Sequence, residues 1–268
     1  MRARTAAAAA VLLAALGAAF AAKRFYSTAS AADLRFVLAP TAWLVEAAGG
    51  HRFDWTSGGY LSTEARFLIA PACAGVNFLV VAFAALVLGL VRPARPPWQN
   101  VGVLLASAAA AYATTVAANA LRILIAIPLW THGVSWGWLT GARLHEVAGV
   151  AVFLGMLLLL HLGAHRLARA PVQAWLPLLP YAGVMLVVPL LRGAQRLPGF
   201  WTHAGIVSTA VAVTAAASLA LGRNRRGTVP ARGYPCTFRR SPSATLGGTS
   251  ADTSPPKRAT SRTRRADT

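Results

Sequence analysis

Apolar residues in this chain come in long runs rather than in alternation. Six windows approach the roughly 20 apolar residues that a membrane-spanning helix needs. They cover residues 6–22, 67–91, 101–129, 145–162, 174–191 and 201–221. Four of them carry no Asp, Glu, Lys or Arg. The third carries only Arg122, and the fourth holds His145, Glu146 and His161 at its ends. Helices so uniformly apolar belong in lipid, where the backbone must satisfy its own hydrogen bonds. The pattern therefore predicts an all-α fold: a polytopic integral membrane helical bundle of about six transmembrane helices over residues 1–222. Residues 223–268 follow as a basic tail with no apolar period, read as disordered.

Polar landmarks agree with that division. Trp98, Trp130, Trp136, Trp138, Trp175 and Trp201 fall at or just outside span ends, the place of an interfacial aromatic belt. Arg2 and Arg4, Arg92 and Arg95, Arg166 and Arg169, and the tail would share one side of the membrane. That side is expected to be the cytoplasm, with both termini inside a cell (inner or plasma) membrane. The segment 23–66 is the one sizeable external piece. Its Leu34, Phe36, Val37, Leu38, Trp43, Leu44 and Val45 would make either a helix flat on the outer leaflet or a cap over the bundle. The first run also fits a secretory signal peptide; an uncleaved span is preferred, because Lys23-Arg24 follow it directly.

Composition sharpens the class. The 268 residues are 56% hydrophobic and 12% charged, against about 25% charged in a typical soluble domain. An ordinary soluble enzyme and wholesale disorder are both excluded. The net charge of +19 would suit nucleic acid only as a patch on a folded surface. Yet 11 Lys and Arg, against 2 acidic residues, lie in 223–268. The charge thus marks a tail and loop ends, and the expected partners are membrane lipids, not nucleic acid.

Three residues do not fit a plain bundle. Arg122 lies within the third span. An intramembrane charge is a functional residue by default, with a snorkelling Arg as the alternative. Asn119, three residues earlier, shares its face. Cys73, in Pro71-Ala72-Cys73-Ala74-Gly75-Val76-Asn77, stands near the start of the second span. Asn77 is one turn deeper on its face, and Gly75 permits close approach. His145 opens the fourth span, with Gly149 one turn below it. Taken singly, Cys73 reads as a small buried hydrophobe and His145 as a helix-end residue. Alternation of the spans, however, brings all three to one membrane face, and places Cys236 on the other, out of disulfide reach.

Together they suit acyl transfer. A thiolate nucleophile is favoured beside a cation, His is the usual general acid or base, and Arg stabilises a developing oxyanion. No Cys/His spacing suits a metal and no phosphate-binding loop is present, so no metal or cofactor is expected. His161 and His165 read as interface residues; His132 and His203 have no evident partner.

Cys73-Ala74-Gly75, Asn119-Ala120-Leu121-Arg122 and His145-Glu146-Val147-Ala148-Gly149 resemble the motifs of the exosortase/archaeosortase family, in the same order on consecutive helices. Exosortase K is the subgroup to which they are most similar. The resemblance covers residues 60–165. It implies a membrane cysteine peptidase or transpeptidase, with Cys73 as nucleophile, His145 as acid/base and Arg122 as electrostatic stabiliser. Asn119, Asn77, Gly75 and Gly149 would support them. The implied partners are exported proteins ending in a short motif, a transmembrane helix and a basic cluster, cleaved at the outer face. Many members have Ser after the Cys and a basic residue shortly after the Gly, where this chain has Ala74 and Asn77. Two other readings are a non-enzymatic transporter or assembly scaffold with Arg122 in a substrate path, and a membrane anchor that works through its tail.

Overall fold

The computed structural model describes residues 2–133, 137 and 140–227. Trp136, Trp138, Cys236 and the tail from 228 onward lie outside the described residues. The chain is a helical, multi-span membrane protein; among the described residues five helices are long and apolar enough to cross a bilayer. The Ala-rich first run forms α1 (Arg2–Tyr26). Helix α2 (Arg35–Gly49) follows, then a small antiparallel sheet of β1 (Asp54–Thr56), β2 (Gly59–Ser62) and β3 (Phe67–Ile69). A 3-10 turn (Pro71–Cys73) leads into α3 (Val76–Leu90) and then α4 (Pro97–Thr131). The bundle continues with α5 (Gly141–Leu167) and the short α6 (Leu178–Ala182) and α7 (Val188–Leu191). It ends with α8 (Phe200–Gly227).

Helices α3 and α4 form the centre: α1 and α5 pack on both, and α2 on α4. Helix α3 is apolar on every side and buried accordingly. One core joins α3, α5, α6 and α8 through Phe78, Val81, Leu154, Leu157, Tyr181 and Val207. A second joins α2 and the sheet to the adjoining ends of α3 and α4 through Leu34, Leu38, Phe53, Ile69, Val76 and Ile123. The second core fixes the sheet and the Cys73 turn against the long helices. Trp98 and Trp130, near the two ends of α4, are exposed, as are Trp175 and Trp201, the disposition an interfacial belt needs.

Four expectations change. The fifth span, read as 174–191, is helical only over Leu178–Leu191, about 21 Å at 1.5 Å per residue and short of a roughly 30 Å hydrocarbon core. Proline explains it: Pro177 and Pro180 delay the start, and Pro189 has no N–H for Met185, so the chain widens into a π turn over Gly183–Val187. The second span, read from 67, begins only at Pro71. Residues 67–69 are instead the edge strand β3, paired Tyr60 to Ile69 and Ser62 to Phe67. The all-α class holds, with one small sheet of three short strands beside the helices. Helix α8 runs through Gly227, five residues into the stretch read as tail.

The fourth change concerns 23–66. Lys23 and Arg24 sit in the last turn of α1 rather than after it. Helix α2 packs on the side of α4 rather than over the ends of the bundle. It runs alongside α4: Tyr112 donates to the Phe36 carbonyl at 2.6 Å, and Gly49 at the other end meets Leu124. Val37, Leu38, Thr41, Ala42 and Val45 are buried on its inner face, while Phe36 and Trp43 are exposed.

Candidate active site

Cys73 closes the 3-10 turn that Pro71 begins. Its sequence, Ala70-Pro71, cannot continue β3 because Pro offers no ladder donor. The chain then turns through Gly75, whose φ of +64° is left-handed, before α3 starts. That reversal breaks the expected helical spacing between Cys73 and Asn77, so they are not on one helix face. Gly75 is also required by space: a Cβ there would lie 2.5 Å from Asn119 Nδ2 and 2.6 Å from its Oδ1. Asn119 is 1% exposed. Its two amide atoms meet no hydrogen-bond partner among the described residues.

One turn along α4 from Asn119, Arg122 directs its guanidinium at the thiol, with Nη2 4.0 Å from Cys73 Sγ. Arg122 is 25 residues from the start of α4, about 38 Å along its axis. It lies nine residues before the end of α4, off the middle of the helix. Helix α5 supplies the floor. His145, Gly149 and Phe153 are spaced by four and share a face. The Arg122 stem crosses that face where Gly149 leaves room, since a Cβ at 149 would sit 3.3 Å from Arg122 Cδ. The guanidinium stacks 5.4 Å from the Phe153 ring centroid. A cation held on a ring face is weakly hydrated and fixed in direction.

Three cavities meet around these residues. Arg122, His145, Glu146, Gly149, Phe153 and His203 line one of about 210 Å³. Arg122 also lines a second, of about 120 Å³, with Tyr26, Gly75, Asn77 and Tyr181. His145 also lines a third, of about 330 Å³, with Arg66, Phe67, Leu68, Leu129 and Trp130. The structure thus brings Cys73 to Arg122, and Arg122 and His145 to one cavity. No hydrogen bond joins Cys73 to His145 among the described residues; acid/base groups often tighten onto their partners only around substrate.

Four participants were not legible in the sequence. Lys23 Nζ donates to Asn77 Oδ1, and Tyr26 donates to the Pro71 carbonyl at 3.4 Å. Both come from the end of α1 and read in sequence as loop residues. Phe153 reads as ordinary span lining. His203, which had no evident partner, engages Glu146: Nδ1 to Oε1 is 2.6 Å. The only signal for that pair was a carboxylate at a span end. His161 and His165 have a structural role that the sequence did not show. They are 0% and 1% exposed, so their rings face the protein interior. They tie the chain after α5 through the Gln173 and Pro171 carbonyls at 3.2 and 2.8 Å.

Among the described residues no group of three or more His, Cys, Asp or Glu could hold a metal ion, and Cys73 is a free thiol. Comparison of the chain with protein families, with curated proteins and with solved structures finds no match.

Proposed function

We propose that this protein is a membrane-embedded cysteine peptidase or transpeptidase, with chemistry similar to that of exosortases. The observation that carries the reading is the Arg122 guanidinium. It stands 4.0 Å from Cys73 Sγ and lines one cavity with His145.

In this reading the Cys73 thiolate attacks a scissile carbonyl. Arg122 stabilises the oxyanion of the tetrahedral intermediate. His145 gives a proton to the departing amine, leaving a thioester on Cys73 that water or an amine then resolves. Lys23, bonded to Asn77, brings an ammonium close to where many members of the resembled family carry a basic residue of their own. The site would face the outer side of a cell membrane, with both termini cytoplasmic. Its substrates would be exported proteins ending in a short motif, a transmembrane helix and a basic cluster.

The test is Cys73→Ala co-expressed with an exported reporter that carries such an ending. The wild type should process the reporter and yield a covalent adduct whose mass maps to Cys73, and the variant should do neither. Normal processing by Cys73→Ala would refute the proposal. A silent Cys73→Ala beside a damaging Arg122→Ala would favour the transporter or scaffold reading instead.

A further inference from the structure

The cavity shared by Arg122 and His145 contains a second acid/base pair that the acylation chemistry leaves unused. His203 comes from the start of α8, and Glu146 follows His145 on α5. Their 2.6 Å hydrogen bond crosses the cavity wall. With Glu146 as the carboxylate, Nδ1 of His203 is the donor in this bond. In the neutral imidazole that tautomer leaves the Nε2 lone pair as a proton acceptor. Among the described residues nothing hydrogen-bonds to Nε2. Both side chains are about one-third exposed, 32% for His203 and 30% for Glu146. A carboxylate that orients an imidazole lining a cavity is the arrangement of a general base.

The site also has two sides. Arg122 lies between the smaller cavity, bounded by Tyr26, Gly75 and Asn77, and the one that holds His203. The thiol belongs to the Gly75 turn, and the imidazole–carboxylate pair to the other wall. Arg122, 4.0 Å from the Cys73 sulfur, joins the thiol to the cavity that His203 lines.

We propose that His203 is the base for the second half of the reaction, deprotonating the water or primary amine that resolves the thioester, and that Glu146 is its positioning residue. This rests on the acyl-transfer reading above. As the acceptor oxygen or nitrogen bonds to the thioester carbonyl, its proton passes to His203 Nε2. The C–S bond then breaks and Cys73 leaves as the thiolate, paired with Arg122. The proton on His203 is released to solvent through the same cavity.

The experiment uses the full-length protein with the exported reporter, and the variants His203→Asn and Glu146→Gln. The Asn amide can keep the donor to Glu146 while removing Nε2, so the α5–α8 contact is preserved. His203→Asn should still acylate: a hydroxylamine-sensitive adduct on Cys73 accumulates, and release of processed reporter falls on the order of 100-fold, the scale of a lost general base. Hydroxylamine, which attacks a thioester without help from a base, should discharge that adduct as fast as it does from wild type. Glu146→Gln should accumulate the adduct in the same way, to a smaller extent. Turnover of His203→Asn at the wild-type rate would overturn the proposal. So would loss of adduct and product together in a variant whose Cys73 is still alkylated by iodoacetamide at the wild-type rate, since His203 would then act before the thioester forms. Normal processing by Cys73→Ala is a separate outcome, in which the acyl-transfer reading itself fails and the inference with it.

Discussion

Gly75→Ala is the substitution whose cost can be worked most directly from the geometry. Two effects add. The backbone at 75 has φ +64°, and holding an L-residue with a Cβ in the left-handed region costs about 1–2 kcal/mol. The new methyl would also lie 2.5–2.6 Å from the Asn119 amide, which is 1% exposed and held on α4. Overpacking of that kind costs about 1–3 kcal/mol. The expected loss is therefore about 2–5 kcal/mol. For a chain of this size that lowers the thermal midpoint by about 4–20 °C, as read by unfolding in detergent micelles. A double-mutant cycle separates the parts. Asn119→Ala removes the overlap and, since its amide has no partner to lose, should cost little in hydrogen bonding. Gly75→Ala with Asn119→Ala should then recover the overlap share and keep only the backbone strain of about 1–2 kcal/mol. The reasoning is refuted if Gly75→Ala melts with the wild type, or if the double variant is no more stable than Gly75→Ala alone.

Two further predictions concern the two ends of the bundle. Arg122→Gln should slow alkylation of Cys73 by iodoacetamide about tenfold or more, because it removes a cation 4.0 Å from the sulfur. Phe153→Ala, which only frees the guanidinium from its ring, should cost two- to fivefold; equal rates in Arg122→Gln and wild type would detach the thiol from the cation. At the opposite end, a Cβ on Gly89 would meet His165 Nε2 at 2.5 Å and His161 Cε1 at 3.2 Å. Gly89→Ala should lower stability by about 1–3 kcal/mol while leaving Cys73 alkylation unchanged. A loss of labelling at unchanged stability would contradict that separation.

Function readings diverge most at residues near the ends of spans, and there the sequence was least able to choose. Arg122 looked costly because it lay inside an apolar run. Eight residues before Trp130 it already stood off-centre; the packing of α4 on α5 is what sets its stem over Gly149. His203 looked partnerless because its carboxylate is 57 residues away. Lys23 looked like a loop charge until the α1 helix continued to Tyr26 and carried it to Asn77.

The sequence by itself determined that the chain is a multi-span helical membrane protein, since apolar runs of that length have only one way to satisfy their backbone in lipid. It also determined that Cys73, Arg122 and His145 share one end of the bundle, because alternation of consecutive spans is independent of how they pack. Tertiary structure decided the rest. Helix α2 stands along α4 because its buried stripe matches that side, which no local period reveals. Residues 67–69 became a strand because Tyr60 and Ser62 were there to pair with them. The neighbours of the thiol and the imidazoles were set by crossings of helices distant in the chain, and side-chain contacts across such crossings depend on the depth and rotation of each helix, quantities that apolar runs leave free.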